Sequence, residues 1–183
     1  MSRIVATEYV TLDGVFEEPG QWSFPFWSDQ AAKFKFDELM ASDAQLLGRK
    51  TYEGFAAAWP TMTDEAGFSD RMNGMPKYVV STTLTSADWN NSHLIQTNVV
   101  EEIAKLRAAP GRDILLAGSG QLLRTLLEHN LVDELRLMLH PIVLGHGAKL
   151  FEDGINTSVW KLSNTQVFDS GIVVLHYEPA PSE

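Results

Sequence analysis

Ile114-Leu115-Leu116-Ala117-Gly118-Ser119-Gly120-Gln121-Leu122-Leu123 is the stretch on which the fold of this chain turns. A short apolar run feeds a glycine-rich turn, and the turn opens an amphipathic segment. In that arrangement the free backbone N–H groups at a helix N-terminus can collect an anion, usually a phosphate. Gly118 and Gly120 remove the Cβ atoms that would hold a pyrophosphate off the backbone, and Ser119 adds a hydroxyl donor. Leu123 stands where the third glycine of a dinucleotide fingerprint would fall, so the stretch departs from the Rossmann pattern. Taken alone, it is either an anion site or a tight strand-to-helix turn.

Working outward, the same design repeats. Leu46-Leu47-Gly48-Arg49-Lys50-Thr51 is again an apolar strand, a glycine, and polar donors opening a helix. Arg49 offers a planar fork suited to phosphate, Lys50 a point charge and Thr51 a hydroxyl. The alternative is a plain glycine turn followed by a solvated charge pair. Val79-Val80-Ser81-Thr82-Thr83 presents hydroxyls where a third strand stops. In an open α/β sheet, ligands bind outside the carboxyl ends of parallel strands. Three such ends describe one long phosphate-bearing ligand, and a dinucleotide fits that better than a single phosphate.

The rest of the chain supplies the frame. Arg3 to Val10 reads as a first strand ending at Leu12-Asp13-Gly14. An irregular aromatic segment runs from Phe16 to Trp27. Ser28 or Asp29 caps a helix reaching Met40, with Ala32, Phe36, Leu39 and Met40 near one face. Ala44 to Leu47 is a strand and Thr51 to Ala58 a helix. Thr61 to Pro76 reads as polar loop, Lys77 to Ser81 as a strand, and Leu94 to Gln96 as a weaker one. Val99 to Ala109 and Gln121 to His129 read as helices. After Asn130 the pattern changes: Leu135 to Leu139, Trp160 to Phe168 and Ile172 to Tyr177 are strands without long helices between them. Asp169-Ser170-Gly171 marks a hairpin. Alternating strands and helices imply a parallel sheet with crossovers, and the final third adds antiparallel strands to it. The expectation is one α/β domain over residues 1–178 and a frayed tail over 179–183.

Composition excludes several classes. A formal net charge of −10 argues against a nucleic-acid partner, because backbone-phosphate binding needs a basic footprint. No apolar run is long enough to span a bilayer, and Met1-Ser2-Arg3-Ile4-Val5 opens no signal-peptide core. With no cysteine, disulfide and thiolate chemistry are absent, which fits a cytoplasmic protein. The five histidines are scattered, none four residues from another, so no metal site is expected.

The motifs together carry a resemblance. Leu47 to Glu53, Val79 to Leu84 and Ala117 to Leu122 look like the ordered motifs of dihydrofolate reductase-like proteins. Leu12-Asp13-Gly14, Leu131 to Leu135, Pro141 to Gly147 and Leu150-Phe151 add to the match, which runs from about Arg3 to Tyr177. The chain most resembles the C-terminal reductase domain of the bacterial bifunctional riboflavin biosynthesis protein. The fold this implies is a single-domain, three-layer α/β sandwich. Its central sheet is mixed and mostly parallel, with antiparallel C-terminal strands.

The resemblance implies an NADPH-dependent reductase that passes hydride to a small heterocycle, as the 5-amino-6-(5-phosphoribosylamino)uracil reductase of riboflavin biosynthesis does. It further implies a homodimer. Gly48 and Thr51 would touch the cofactor phosphates beside Lys50, and Arg49 would pair with the adenosine 2′-phosphate. Ser81 and Thr82 would add hydroxyls at that end. Gly118, Ser119, Gly120, Gln121 and Leu122 would hold the pyrophosphate, and in this family the bond matching Gly118–Ser119 is often cis. Ala6 and Thr7, with the segment near Val15, would flank the nicotinamide.

On the substrate side, Asp13 is the candidate catalytic and substrate-binding residue; its other reading is a turn aspartate bonding its own loop. Trp22 and Trp27, near Phe24 and Phe26, either line a planar-ring pocket or cover the core. His140 and His146 flank a loop that could reach the substrate, and Glu134 would begin a strand at the surface or a subunit contact. Folate reductases carry a buried carboxylate where this chain has Ala32, with Asp29 and Asp37 a turn away on either side. Folate reduction proper, and nucleotide binding without turnover, are the alternatives.

Overall fold

The computed structural model describes residues 1–181. Six strands run parallel: β1 (Arg3–Thr11), β2 (Ser42–Gly48), β3 (Lys77–Val80), β4 (Ser92–Ile95), β5 (Asp113–Ala117) and β6 (Glu134–His140). Two more, β7 (Trp160–Val167) and β8 (Val173–Pro179), form an antiparallel hairpin, and β8 pairs antiparallel with β6. The sheet order is β4-β3-β2-β5-β1-β6-β8-β7.

Helices cover both faces, because the central strands are apolar on both sides. Side chains of β1 alternate between the two layers. Ile4 and Ala6 pack with Leu46, Leu116 and the buried residues of α4 (Val99–Ala108) and α5 (Gly120–Glu128): Ile103, Leu122, Leu123 and Leu126. Val5 points the other way. It joins Leu47, Val79 and Leu115 against Leu39 of α1 (Asp29–Met40), Tyr52 of α2 (Arg49–Ala58) and Met72 of α3 (Phe68–Gly74). The result is the three-layer α/β sandwich with a mostly parallel sheet that the resemblance implies.

Four details differ from the sequence reading. The stretch from Thr61 to Pro76 is not all loop: α3 forms within it, its first amides capped by Asp64, which accepts from Phe68 N at 2.9 Å and Ser69 N at 2.6 Å. The buried side chains of α1 are Ala31, Phe34, Glu38 and Leu39, not the stripe through Ala32, Phe36 and Met40; a buried acid, Glu38, lies on the inner face. Glu134 is buried at the start of β6 rather than on the surface. Pro179 belongs to β8 and pairs with Trp160, and Ala180 N donates to Val159 O, so order continues into the expected tail. Residues 182 and 183 of that tail lie outside the described residues.

Ser28 caps α1 as expected, its hydroxyl accepting from Ala31 N. Between β1 and α1 the chain forms two short 3-10 turns, Pro19–Gln21 and Phe24–Phe26. Its first part is stitched to the loop after β6: Leu12 N donates to Ile142 O, Leu150 N donates to Gly14 O, and Val15 bridges Lys149. Among the described residues no helix is long and apolar enough to cross a membrane.

Candidate active site

Sheet order brings the three glycine and hydroxyl turns together. β3, β2 and β5 are successive neighbours. The pairing Gly48↔Val80 sets Arg49 and Lys50 beside Ser81 and Thr82, and Leu46↔Leu116 sets Gly48 beside Gly118. All three turns therefore open at one edge, outside the carboxyl ends of the parallel strands.

They are also locked to each other. Ser119 Oγ accepts the Gly48 N–H at 2.8 Å and donates to Ala117 O at 2.9 Å. The Ser119 N–H donates to Thr51 Oγ1 at 3.2 Å. These contacts make side chains at the two glycines tight. A Cβ on Gly48 would meet Ser119 Cβ at 3.3 Å, and one on Gly118 would meet Thr51 Oγ1 at 3.0 Å. Gly118 and Ser119 lie at φ 55° and 58°, in the left-handed region. All peptide bonds among the described residues are trans, Gly118–Ser119 included, and two consecutive left-handed residues make the turn.

No side chain caps α5, whose N-cap is Ser119. Its first turn holds Gly120, exposed Gln121 and buried Leu122. The hydroxyl that would ordinarily cap those amides is spent on Gly48 and Ala117, so the N–H groups of this turn are left for an anion. The Phe16 ring rests on the turn: a Cβ on Gly120 would lie 2.4 Å from Phe16 Cζ.

At the β3 end, Ser81 is buried and faces its own turn, its hydroxyl accepting from Thr83 N and Leu84 N. Thr82 and Lys50 are exposed. Arg49 pairs with Glu53 at 3.0 Å, both side chains being nearly half exposed. Such a pair is worth little, so the guanidinium can turn to a phosphate.

Next to β5 in the sheet lies β1. β5 stops pairing at Thr7↔Ala117, while β1 continues along β6 as far as Thr11↔His140. Ala6 is fully buried in the core, and Thr7 is buried with its hydroxyl donating to Glu38 Oε2 at 3.2 Å. The first residue beyond the split is Glu8, which the sequence reading passed over. It is 2 % exposed, and its Oε1 has no hydrogen-bond partner. Burial pushes its carboxyl well above the usual carboxylate range, outweighing Lys35 and the Gly118 backbone.

The aromatic residues form a cage. Tyr9, Trp22 and Phe26 place their rings 5.3, 5.1 and 6.1 Å from the ring of His140. His140 is fully buried; its Nδ1 bonds Met138 O at 2.8 Å and burial lowers its pKa. Trp22 is buried, its indole N–H donating to Glu17 O, whereas Trp27 is largely exposed. Trp22 therefore covers this corner of the core, and Trp27 does not join it. His146 is exposed on the loop after β6.

Asp13 is a loop anchor. Oδ1 accepts from Thr11 Oγ1 at 2.6 Å and from Leu144 N at 3.2 Å, and Oδ2 accepts from Gly145 N at 2.8 Å. The Thr11 hydroxyl first, then the Gly145 amide, hold its carboxyl down at about 2. A carboxylate so committed is held ionised and ties the β1 loop to the loop after β6. Asp29 and Asp37 are exposed, and Asp37 pairs with Lys33.

Known proteins share this architecture. Residues 2–174 match the family model described as RibD C-terminal domain. The chain belongs to the RibD C-terminal domain family. The chain is similar to the uncharacterized protein YyaP of Bacillus subtilis, 36 % identical over 179 residues, covering 96 % of this chain and 94 % of YyaP. A solved structure named for riboflavin biosynthesis, from Shewanella sp. PV-4, superposes with a TM-score of 0.78 at 21 % identity, over 99 % of this chain and all of that one. Dihydrofolate reductase from Enterococcus faecalis, solved with NADP(H), gives 0.64 at 18 % identity, over 98 % of this chain and 97 % of that one. The RibD C-terminal domain of this chain thus has a dihydrofolate reductase-like fold.

Proposed function

We propose that this protein is an NADPH-dependent reductase of a small heterocyclic substrate, with a ribosylaminopyrimidine of the riboflavin pathway as the first compound to try. One observation carries the reading: the turns after β2 and β5 are bolted together through Thr51, Gly48 and Ser119, and the N-terminus of α5 is left without a side-chain cap. The glycines let the turns after β2 and β5 pack closely on each other, and the bare amides at the start of α5 suit a pyrophosphate. Gly118, Ser119, Gly120, Gln121 and Leu122 would hold that pyrophosphate. Gly48, Lys50 and Thr51 would border it, and Arg49 with Ser81 and Thr82 would meet the adenosine phosphate. NADPH, when bound, would supply the hydride; the chain's part is to place the ring and exclude water.

The folate reading lacks its acid. Asp29 and Asp37 face solvent, and the buried acid of α1, Glu38, is taken by Lys35, Arg136 and Thr7.

Calorimetric titration with NADPH and NADH tests the proposal. Wild type should prefer NADPH. Arg49→Ala should weaken NADPH by about tenfold or more while leaving NADH nearly unchanged, since only NADPH carries the extra phosphate. Equal losses for both would remove Arg49 from that role, and failure to bind either would remove the reductase reading. Oxidation of NADPH on adding a pyrimidine or pterin then separates an enzyme from a binding protein.

A further inference from the structure

Glu8 is the one acid of β1, and its burial needs a reason. Transferring a carboxyl from water without a partner is costly, and buried polar groups are nearly always bonded. Yet Glu8 Oε1 is bonded to nothing, while every carboxylate of the nearby ion-pair network (Glu38, Glu134 and Asp113) has a cation against it. Glu8 is not part of that network.

Position supplies the reason. The carboxyl ends of β3, β2, β5 and β1 follow one another in that order across the sheet. A dinucleotide with its adenosine phosphate at Arg49 and Thr82 and its pyrophosphate at Gly118 to Gly120 has its far end at β1. Neighbouring strands lie about 4.8 Å apart, so the span is about three strand spacings, or roughly 14 Å. Beyond the pairing Thr7↔Ala117 the β5 side of β1 has no strand beside it, and Glu8 is the first residue there, against the backbone of Gly118.

We propose that the Glu8 carboxyl, carrying its proton, reads a primary carboxamide on the end of the ligand that reaches β1. A neutral carboxyl presents one O–H donor and one carbonyl acceptor, and a primary carboxamide presents the complementary pair, so two parallel hydrogen bonds form. A carboxylate could accept the N–H but would face the carboxamide oxygen with a second acceptor. The environment favours the neutral form. Burial opposes the charge, Glu38 of α1 adds to that, and Lys35 of α1 and the Gly118 backbone oppose it less strongly. Lys35 is itself paired with Glu38 and lies over the Tyr9 ring. Glu8 is thus a specificity residue for the reducible end of the cofactor, an assignment that rests on the dinucleotide reading above.

The test is a set of calorimetric titrations with NADP⁺ and its acetylpyridine analogue, in which a methyl group replaces the carboxamide nitrogen. Wild type should bind the analogue about tenfold more weakly, the cost of one lost hydrogen bond and an unpaired buried acceptor. Glu8→Gln keeps a donor and an acceptor in the same shape and should preserve that ratio. Glu8→Ala should bring it near one. Affinity of wild type for NADP⁺ should fall toward alkaline pH as the carboxyl ionises, and that of Glu8→Gln should not. In the infrared spectrum, the stretch of a protonated carboxyl should be present in wild type and lost in Glu8→Gln. A wild-type ratio near one, or a ratio unchanged in Glu8→Ala, overturns the assignment of Glu8 alone. Absence of binding by either dinucleotide overturns it together with the reductase reading.

Discussion

Thr51 Oγ1 lies 3.2 Å from both the backbone nitrogen and the hydroxyl of Ser119, so one side chain at the start of α2 fixes the N-cap of α5. The two residues are 68 positions apart in sequence, and the contact exists only because β2 and β5 are neighbours. It converts two separate turns into one pre-formed cradle, which spares a ligand the entropy of ordering them.

Thr51→Val tests that coupling. Valine keeps the shape and removes the acceptor, leaving the part-buried Ser119 N–H unpaired. Stability by urea titration should fall by about 1–3 kcal/mol, with NADPH binding weakened in step. Ser119→Ala removes the acceptor of the Gly48 N–H and should cost a similar amount. Because the residues share one network, the double variant should cost less than the two single losses added together.

The Phe16 ring and Gly120 make a second coupled pair. Gly120→Ala would place a methyl group 2.4 Å from Phe16 Cζ, so the ring must leave the turn. The expected cost is about 1–3 kcal/mol by thermal or urea unfolding, as for overpacking. Adding Phe16→Ala should remove most of the penalty that Gly120→Ala carries in the wild-type background. A penalty of the same size in both backgrounds would mean that the ring is not what forbids a side chain there.

Asp13 should act on the loop from Pro141 to Gly147. Asp13→Ala should speed amide hydrogen exchange at Leu144 and Gly145 while leaving Ile114 to Leu116 unchanged. The sign of the pH effect follows from a lowered carboxyl. The folded value, about 2, lies below the ordinary 3.8, so the anchor is complete above the ordinary value and is lost as pH falls through the folded one. Protection of the two amides should therefore be flat across neutral pH and decline only under strong acid.

Lys77 is a buried staple that no pattern in the sequence marks. Its ammonium donates to the carbonyls of Asn73, Met75 and Asn90 at 2.9 to 3.0 Å and lies 4.2 Å from the Trp89 ring centre. Lys77→Met matches the length and strands three acceptors. A loss of about 2–4 kcal/mol in urea unfolding is expected, larger than for a typical surface lysine.

The frame was legible because it is written in local patterns. Apolar runs ending in glycine gave β2 and β5, the hydroxyl of Ser28 gave the start of α1, and Asp169-Ser170-Gly171 gave the last hairpin. What escaped depends on contacts distant in sequence. The seven-residue α3 is too short to show a period, and its cap, Asp64, stands four residues before Phe68. The inner face of α1 differs because it buries Glu38, which pattern reading assigns to solvent; Arg136, 98 residues on, joins Lys35 and Thr7 in making that burial tolerable. Glu8 escaped for the same reason. An acid in a strand reads as an outward residue until the partners of that strand are known. Asp13 shows the converse, since its motif was visible but its partners at Leu144 and Gly145 were not.

Glu134 gives the most direct measure of what those distant contacts are worth. It starts β6 and receives Arg136 Nε at 2.7 Å, His176 Nδ1 at 2.8 Å and Arg3 at 3.3 Å. Burial raises its carboxyl, but the hydrogen bonds from His176 and Arg136 and the charges of Arg136 and Arg3 outweigh it and bring the value to about 2, against an ordinary 4.5. A lowered acid stabilises the fold above its ordinary value and stops doing so as pH falls through the folded value. The contribution should thus be intact at neutral pH and fade from about pH 5 toward about pH 2. Glu134→Gln should cost about 3 kcal/mol near neutrality, because Arg136 keeps its charge in a buried place with one partner fewer. In urea titrations at about pH 7 and about pH 4, the gap between wild type and variant should narrow in acid. A gap of constant size would show that Glu134 contributes by shape and not by charge.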